Sequence, residues 1–347
     1  MWCWCIENRE RRNHCGMRAI IIYIICALGF AAPIKAEKLD VSKLIFEHLG
    51  DSYEWHIAKE VAIPLPCILI GEDGVDIFMS DKLEHGATYK GYHIAEEGDH
   101  EGKIVNAAGE RPFDISITKN VLELFIVCIL LCSVVLGLAR WYKKNGFKKA
   151  PGGFVGMMEA VINFIDKDVA KESIGHGYEK FSPYLMTVFL FILTSNLLGL
   201  IPIFPGGANL TGNIAVTLTC AVSAFIAINC FAPKGYYKSI FWPDVPFFLK
   251  APIPILPTIE FIGVFTKPFS LTVRLFANIM AGHIIILALT SVVFVTAKMG
   301  AGMCASMTAV SVLFCIFMNC LELLVAFIQA YVFTILTANF IGLAHDE

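Results

Sequence analysis

Five ionisable side chains interrupt the two longest apolar runs near the end of this chain. Glu260, Lys267, Arg274 and His283 fall within residues 259–297, and Glu322 is the sole ionised residue of 299–344. A charged side chain at bilayer mid-depth costs at least ~2.5–3.5 kcal/mol, so such residues point to function unless they can snorkel. Lys267 and Lys298 sit where an anchor at the interface is an adequate reading. Arg274 lies deeper, inside the string FSLTVRLFAN of residues 269–278. Its guanidinium stays protonated at any physiological pH, so it cannot carry a proton; it can attract a carboxylate or block a second cation. His283 and Glu322 can each gain and lose a proton, and Asn278 and Gln329 can orient water.

Helical spacing sorts these groups. Glu322 and Gln329 are seven residues apart and share a face. Asn278 lies one turn beyond Arg274, while His283 falls about 180° around from it. Glu260 shares the Arg274 face but sits about 21 Å away along the axis. A quiet ion pair between Arg274 and Glu322 is the structural alternative to a proton route.

These residues need long helices in a bilayer to hold them, and the composition agrees. Apolar residues make up 56% of the 347 and charged residues 16%. Of the 57 Asp, Glu, Lys and Arg residues, 46 lie in 1–180 and nine in 181–345. A soluble core does not explain a chain end so poor in charge. The net charge of −3 gives a nucleic-acid partner no electrostatic support. There is no phosphate-cradling Gly-rich loop, so no nucleotide is expected, and neither a cofactor nor a resident metal is implied. The expected fold is an all-α polytopic membrane protein. It has about five long membrane helices, the last two strongly tilted, plus a small N-terminal extracytoplasmic region.

Residues 1–36 read as a dispensable N-terminus and a signal peptide. Met17 and Arg18 open an apolar segment too short for a comfortable span, and Ala36 is the residue before a cut. Residues 1–16 precede the true start on this reading, so Cys3, Cys5, His14 and Cys15 are not taken as a metal site. Residues 37–118 form an acidic extracytoplasmic region with 17 acidic and seven basic residues. Within it 66–70 and 75–79 read as strands joined by a turn at 71–74; a small β-rich domain and a partly ordered arm both fit.

Residues 119–347 form the membrane domain. The apolar run 124–139, flanked by Glu123 and Arg140, is followed by Lys143, Lys144, Lys148 and Lys149 with no acid among them. Basic residues beside a span are retained on the cytoplasmic side, so 37–118 lies outside. Residues 154–180 read as an amphipathic helix on the cytoplasmic surface. The uncharged stretch 181–233, broken at Gly206-Gly207 and Asn209, reads as a hairpin with spans near 183–203 and 211–232. Five prolines make 243–257 irregular. Each of the last two segments is about 40 residues, near 60 Å if helical throughout. That is about twice the bilayer core, so the helices must kink, with Pro268 a candidate, or tilt steeply.

The string KPFSLTVRLFANIMAGH at 267–283 resembles the signature of subunit a of F-type ATP synthases. Glu260, the Glu322 to Gln329 spacing and NLLGLIP at 196–202 fit as well, with Asn196 in a supporting place. The likeness covers roughly 118–347. It implies a proton-translocating stator that is not catalytic alone and lies multi-pass in a bacterial plasma (inner) membrane with its C-terminus in the cytoplasm. The implied partners are the c-ring, the subunit b stalk, the lipid bilayer and protons, with sodium open. Arg274 would face the ring carboxylates and prevent a proton short circuit between two half-channels. Asn278, His283, Glu322 and Gln329 would line the outer channel and Glu260 the inner one. Many bacterial members carry Glu at the His283 position and His at the Glu322 position, and Asp where Gly199 stands. The exchange keeps one imidazole and one carboxylate. A self-contained secondary ion transporter is the rival reading, although no internal repeat supports it.

Overall fold

The computed structural model describes residues 50–58, 61–71, 74–95, 100, 102–146, 151–201, 206–241, 255–296 and 301–346. The expected signal segment, the start of the acidic region and the proline-rich stretch 243–254 lie outside the described residues.

The first part is β-rich. Strands β1 (Glu54–Ala58) and β2 (Val61–Pro64) pair antiparallel. Strands β3 (Pro66–Gly71) and β4 (Gly74–Met79) form a second antiparallel pair, with Gly71 opposite Gly74 at the turn. The two expected strands are therefore present, joined at the expected turn. Two short strands, β5 (His93–Ile94) and β6 (Ile104–Val105), pair with each other, and β7 (Phe113–Asp114) joins β3. Tyr53, Cys67, Leu69, Phe78, Leu83, Tyr92 and Ile104 make a small core of their own.

Helix α1 (Lys119–Asn145) follows at once. Among the described residues it is the most apolar of four helices long and apolar enough to cross a membrane. Its last turn carries Lys143 and Lys144, where a helix's negative end favours cations. Helix α2 (Gly153–Asn163) runs through a widened π turn (Phe164–Lys171) to Ile174. Ile165, Val169, Ala170 and Ile174 are buried on one side of it while Lys167 and Asp168 are exposed, as its amphipathic pattern requires.

The hairpin is α3 (Ser182–Gly199), with Pro183 in its first turn, and α4 (Ile214–Cys230). Both are shorter than the sequence suggested. The reason lies between them: Ala208, Asn209, Leu210, Thr211 and Gly212 are buried, so the connection packs into the bundle rather than capping it. Gly206 permits the return. A Cβ there would collide with the carbonyl oxygens of Leu198 and Ile201. The Asn209 side chain accepts from the Gly212 amide (2.9 Å), and Asn213 accepts from Ala215 (2.9 Å) to start α4.

After the short α5 (Lys234–Phe241) come two very long helices, α6 (Ile255–Thr296, 42 residues) and α7 (Ala301–Asp346, 46 residues). Pro268 does not interrupt α6. The core they share with α3 and α4 includes Leu185, Phe189, Ala224, Leu275, Ala330 and Phe333. Alanines at these crossings let helix axes approach closely where lipid gives no hydrophobic drive.

Candidate functional site

The expected site residues divide into a buried group and an exposed one. His283 on α6 meets Glu322 on α7, with Nδ1 3.4 Å from Oε1. The Glu322 side chain is 5% exposed and that of His283 19%. Gly282 makes the approach fit. A Cβ there would lie 2.8 Å from Glu322 Oε1, so a larger residue would push the carboxylate away from the imidazole. Beyond His283, neither oxygen of Glu322 finds a hydrogen-bond donor among the described residues. One turn toward Arg274, Asn278 Nδ2 donates to Gln329 Oε1 across the same helix pair (2.9 Å). The other end of that amide, Gln329 Nε2, is buried without a partner.

Asn196 ties this pair of helices to the hairpin. Its Nδ2 donates to the Ala326 carbonyl of α7 (3.1 Å), and its Oδ1 accepts from Thr211 Oγ1 in the buried connection (2.7 Å). Gly199 sits at the same end of the bundle, where a Cβ would lie 3.8 Å from His283 Nε2. An acidic side chain at this position would reach the imidazole directly.

Arg274 is elsewhere. It is exposed, and among the described residues it has no carboxylate partner. The quiet pair with Glu322 does not form, because Glu322 faces His283. On the same face of α6, one turn to either side of Arg274, Ser270 and Asn278 are exposed as well, and beside that face Phe269 and Val273 are 67% and 42% exposed. Glu260 is exposed near the other end of α6, far from the buried cluster. Lys267 lies with its Nζ 5.0 Å from the centre of the Phe340 ring, a cation–π contact worth ~0.5–2 kcal/mol.

Two groups escaped the sequence reading. Glu123 was read only as the flank of an apolar run, yet it is 0% exposed and neither carboxyl oxygen has a hydrogen-bond donor among the described residues. The only signal was an acid within one turn of a span's start. Thr211 gave none, since its role depends on how the connection folds back.

The arrangement holds a neutralisable imidazole–carboxyl pair and the Gln329 amide inside the bundle, with Asn278 exposed but bonded to that amide, and a permanent cation exposed on α6. Comparison with known proteins places it. The family model described as "ATP synthase A chain" matches residues 121–342. A second, described as a domain of unknown function (DUF8433), matches 44–123 and so takes in the β-rich part. The chain is 44% identical over 242 residues to the ATP synthase subunit a of Chloroherpeton thalassium, covering 68% of this chain and 69% of that one. To the ATP synthase subunit a of Chlorobium phaeobacteroides strain DSM 266 it is 48% identical over 242 residues, covering 68% and 67%. To that of Pelodictyon phaeoclathratiforme it is 46% identical over 258 residues, or 72% of each. With the membrane helices matched almost from end to end, this chain belongs to the ATP synthase A chain family.

Proposed function

We propose that this chain is the proton-translocating stator of an ATP synthase membrane sector, working against a ring of proteolipid carboxylates and held by a peripheral stalk. The observation that carries this reading is the placement of Arg274. A guanidinium left exposed inside a long apolar membrane helix needs an anionic partner from another chain, because lipid offers none at that depth. A ring carboxylate passing that face supplies it.

The rest of the site fits two offset paths. The His283–Glu322 pair lies at the end of the bundle where α3 finishes, on the side of the exported region. It passes protons from outside, with Asn278 and Gln329 leading toward the Arg274 face. Glu260 lies toward the opposite end of α6 and serves release to the cytoplasm. A proton crossing directly would have to pass the fixed positive charge of Arg274. It therefore binds a ring carboxylate, and the ring turns before it leaves. Each charge crossing 100 mV supplies ~2.3 kcal/mol for that rotation. Continuous helices near 60–70 Å long fit a core of ~30 Å only if steeply inclined, which lays α6 and α7 along the ring.

Arg274→Ala in the assembled complex should abolish ATP-driven proton pumping in inverted membrane vesicles while subunit content stays normal. Coupled pumping at the parent rate in that variant would overturn the reading. A self-contained transporter would move protons when the chain alone is placed in liposomes, and a stator would not.

A further inference from the structure

We propose that Glu123 is a proton-binding station at the outer mouth of the path, upstream of the His283–Glu322 pair. This inference rests on the stator reading above and extends it to a residue outside the signature string.

The first argument is burial. Glu123 sits one turn inside α1, fully covered, and neither carboxyl oxygen meets a donor among the described residues. The Leu210 backbone lies against it without reaching hydrogen-bond geometry. A covered carboxyl without a protein donor persists only where water or an exchangeable proton meets it. The second argument is company. The other buried side-chain atoms without protein partners are Thr118 Oγ1, Asn209 Nδ2, Ser195 Oγ, Glu322 Oε1 and Oε2, and Gln329 Nε2. They belong to the N-cap of α1, the buried connection, α3 and α7; α1 packs on α3 and on the connection, and α3 packs on α7. Unmet polar atoms thus run from the start of α1 to the His283–Glu322 pair. The Thr211–Asn196–Ala326 hydrogen bonds lie on the same route.

The third argument is the charge around Glu123. The elements packed on it, α3 and the connection 206–213, carry no charged residue. On its own helix Lys119 lies one turn earlier, and Asp51 lies beyond it. Nothing on the inner side competes for its proton. The β-rich region sets the start of α1: the Lys119 amide donates to the Ser52 carbonyl (2.9 Å) and the Asn120 amide to Asp51 Oδ1 (3.2 Å). That holds Glu123 against the connection.

The test is ATP synthesis by membranes carrying the full complex, driven by an imposed proton gradient at a series of source pH values. Glu123→Gln keeps the shape and removes the exchangeable proton. It should slow synthesis about tenfold at a neutral source pH, below the 10²–10⁴ of a positioned acid–base group because water can bypass one station. The deficit should shrink as the source is acidified, and Glu123→Asp should recover most of the rate. A merely structural role would give a loss independent of source pH. Glu123→Gln running at the parent rate at every source pH overturns the proposal. If Arg274→Ala is still inactive then, the stator reading stands without it. A second variant tests access. Glu123→Cys should be inhibited by a small charged thiol reagent added outside, at a dose that leaves the parent active; equal insensitivity overturns the proposal.

Discussion

In the β-rich region, buried polar groups meet protein. The Leu65 amide donates to Ser80 Oγ (3.1 Å), the Ile68 amide to Ser116 Oγ (3.0 Å), and the Tyr53 hydroxyl to the Asp114 carboxylate. The described side-chain atoms that are buried without a partner lie in the helical part and at its entry, from Thr118 to Gln329. One region is finished as an ordinary core, where unpaired polar atoms are selected out because each costs ~1–3 kcal/mol. The other tolerates them in a row. A bundle that had only to be stable would have filled those positions with apolar side chains, as the alanine-rich crossings around Phe189 and Phe333 do. On the function proposed above, the difference marks where water and protons are needed.

Loss of Arg274 should produce the largest effect on the bundle side, as set out above. Next comes the buried pair. Glu322→Gln and His283→Ala should each slow pumping roughly 10- to 100-fold, at or below the low end for a proton-transfer group. Exchanging the two residues in one chain, His283→Glu with Glu322→His, should restore more activity than either single change, since an imidazole still faces a carboxyl. The coupling is measured by a double-mutant cycle on pumping rates. Additive losses would mean the 3.4 Å contact is incidental.

How much of this was readable before the fold follows the same division. Arg274, His283 and Glu322 were legible as candidates because an ionisable group deep in an apolar run is costly, and 3.6-residue spacing told which faces they occupy. The Asn278–Gln329 bond was legible as two faces but not as a contact, because the register between α6 and α7 is set by where small residues such as Gly282 allow approach. Glu123 was missed because burial at a helix end depends on a connection 80 residues later. The hairpin spans came out too long because hydropathy does not distinguish a buried loop from a helix. The paired strands 66–71 and 74–79 were legible from turn residues, whereas β5, β6 and β7 are too short to leave a pattern.

On the β-rich side the effects should be smaller and should concern stability alone. Tyr53→Phe removes a donor to a charged acceptor. Tyr53 is 4% exposed, and burial, reinforced by Asp114, pushes its hydroxyl well above the usual range, so the phenol is a donor at any physiological pH. The loss should be about 1.5–3 kcal/mol. It is read as faster proteolysis of the β-rich region in intact complexes, with proton pumping by the surviving complexes unchanged. A pumping defect without faster proteolysis would erase the distinction between the two regions.

The smallest effect sharpens the contrast at a single thiol. Cys67 is 0% exposed in the β-rich core, and burial, with a lesser push from the Asp114 charge, raises it to about 11. The folded region therefore holds the thiol proton more tightly than the unfolded chain, whose thiol titrates near ~8.5. By linkage, that contribution to stability is complete below the unfolded value and fades as pH rises toward the folded one. At pH 8 Cys67 should resist a small neutral alkylating reagent in folded membranes and react readily once denatured, as peptide mapping would report. Rapid labelling of folded Cys67 at pH 8 would mean that this core also opens to water, and the pairing of its buried polar groups would no longer separate the two regions.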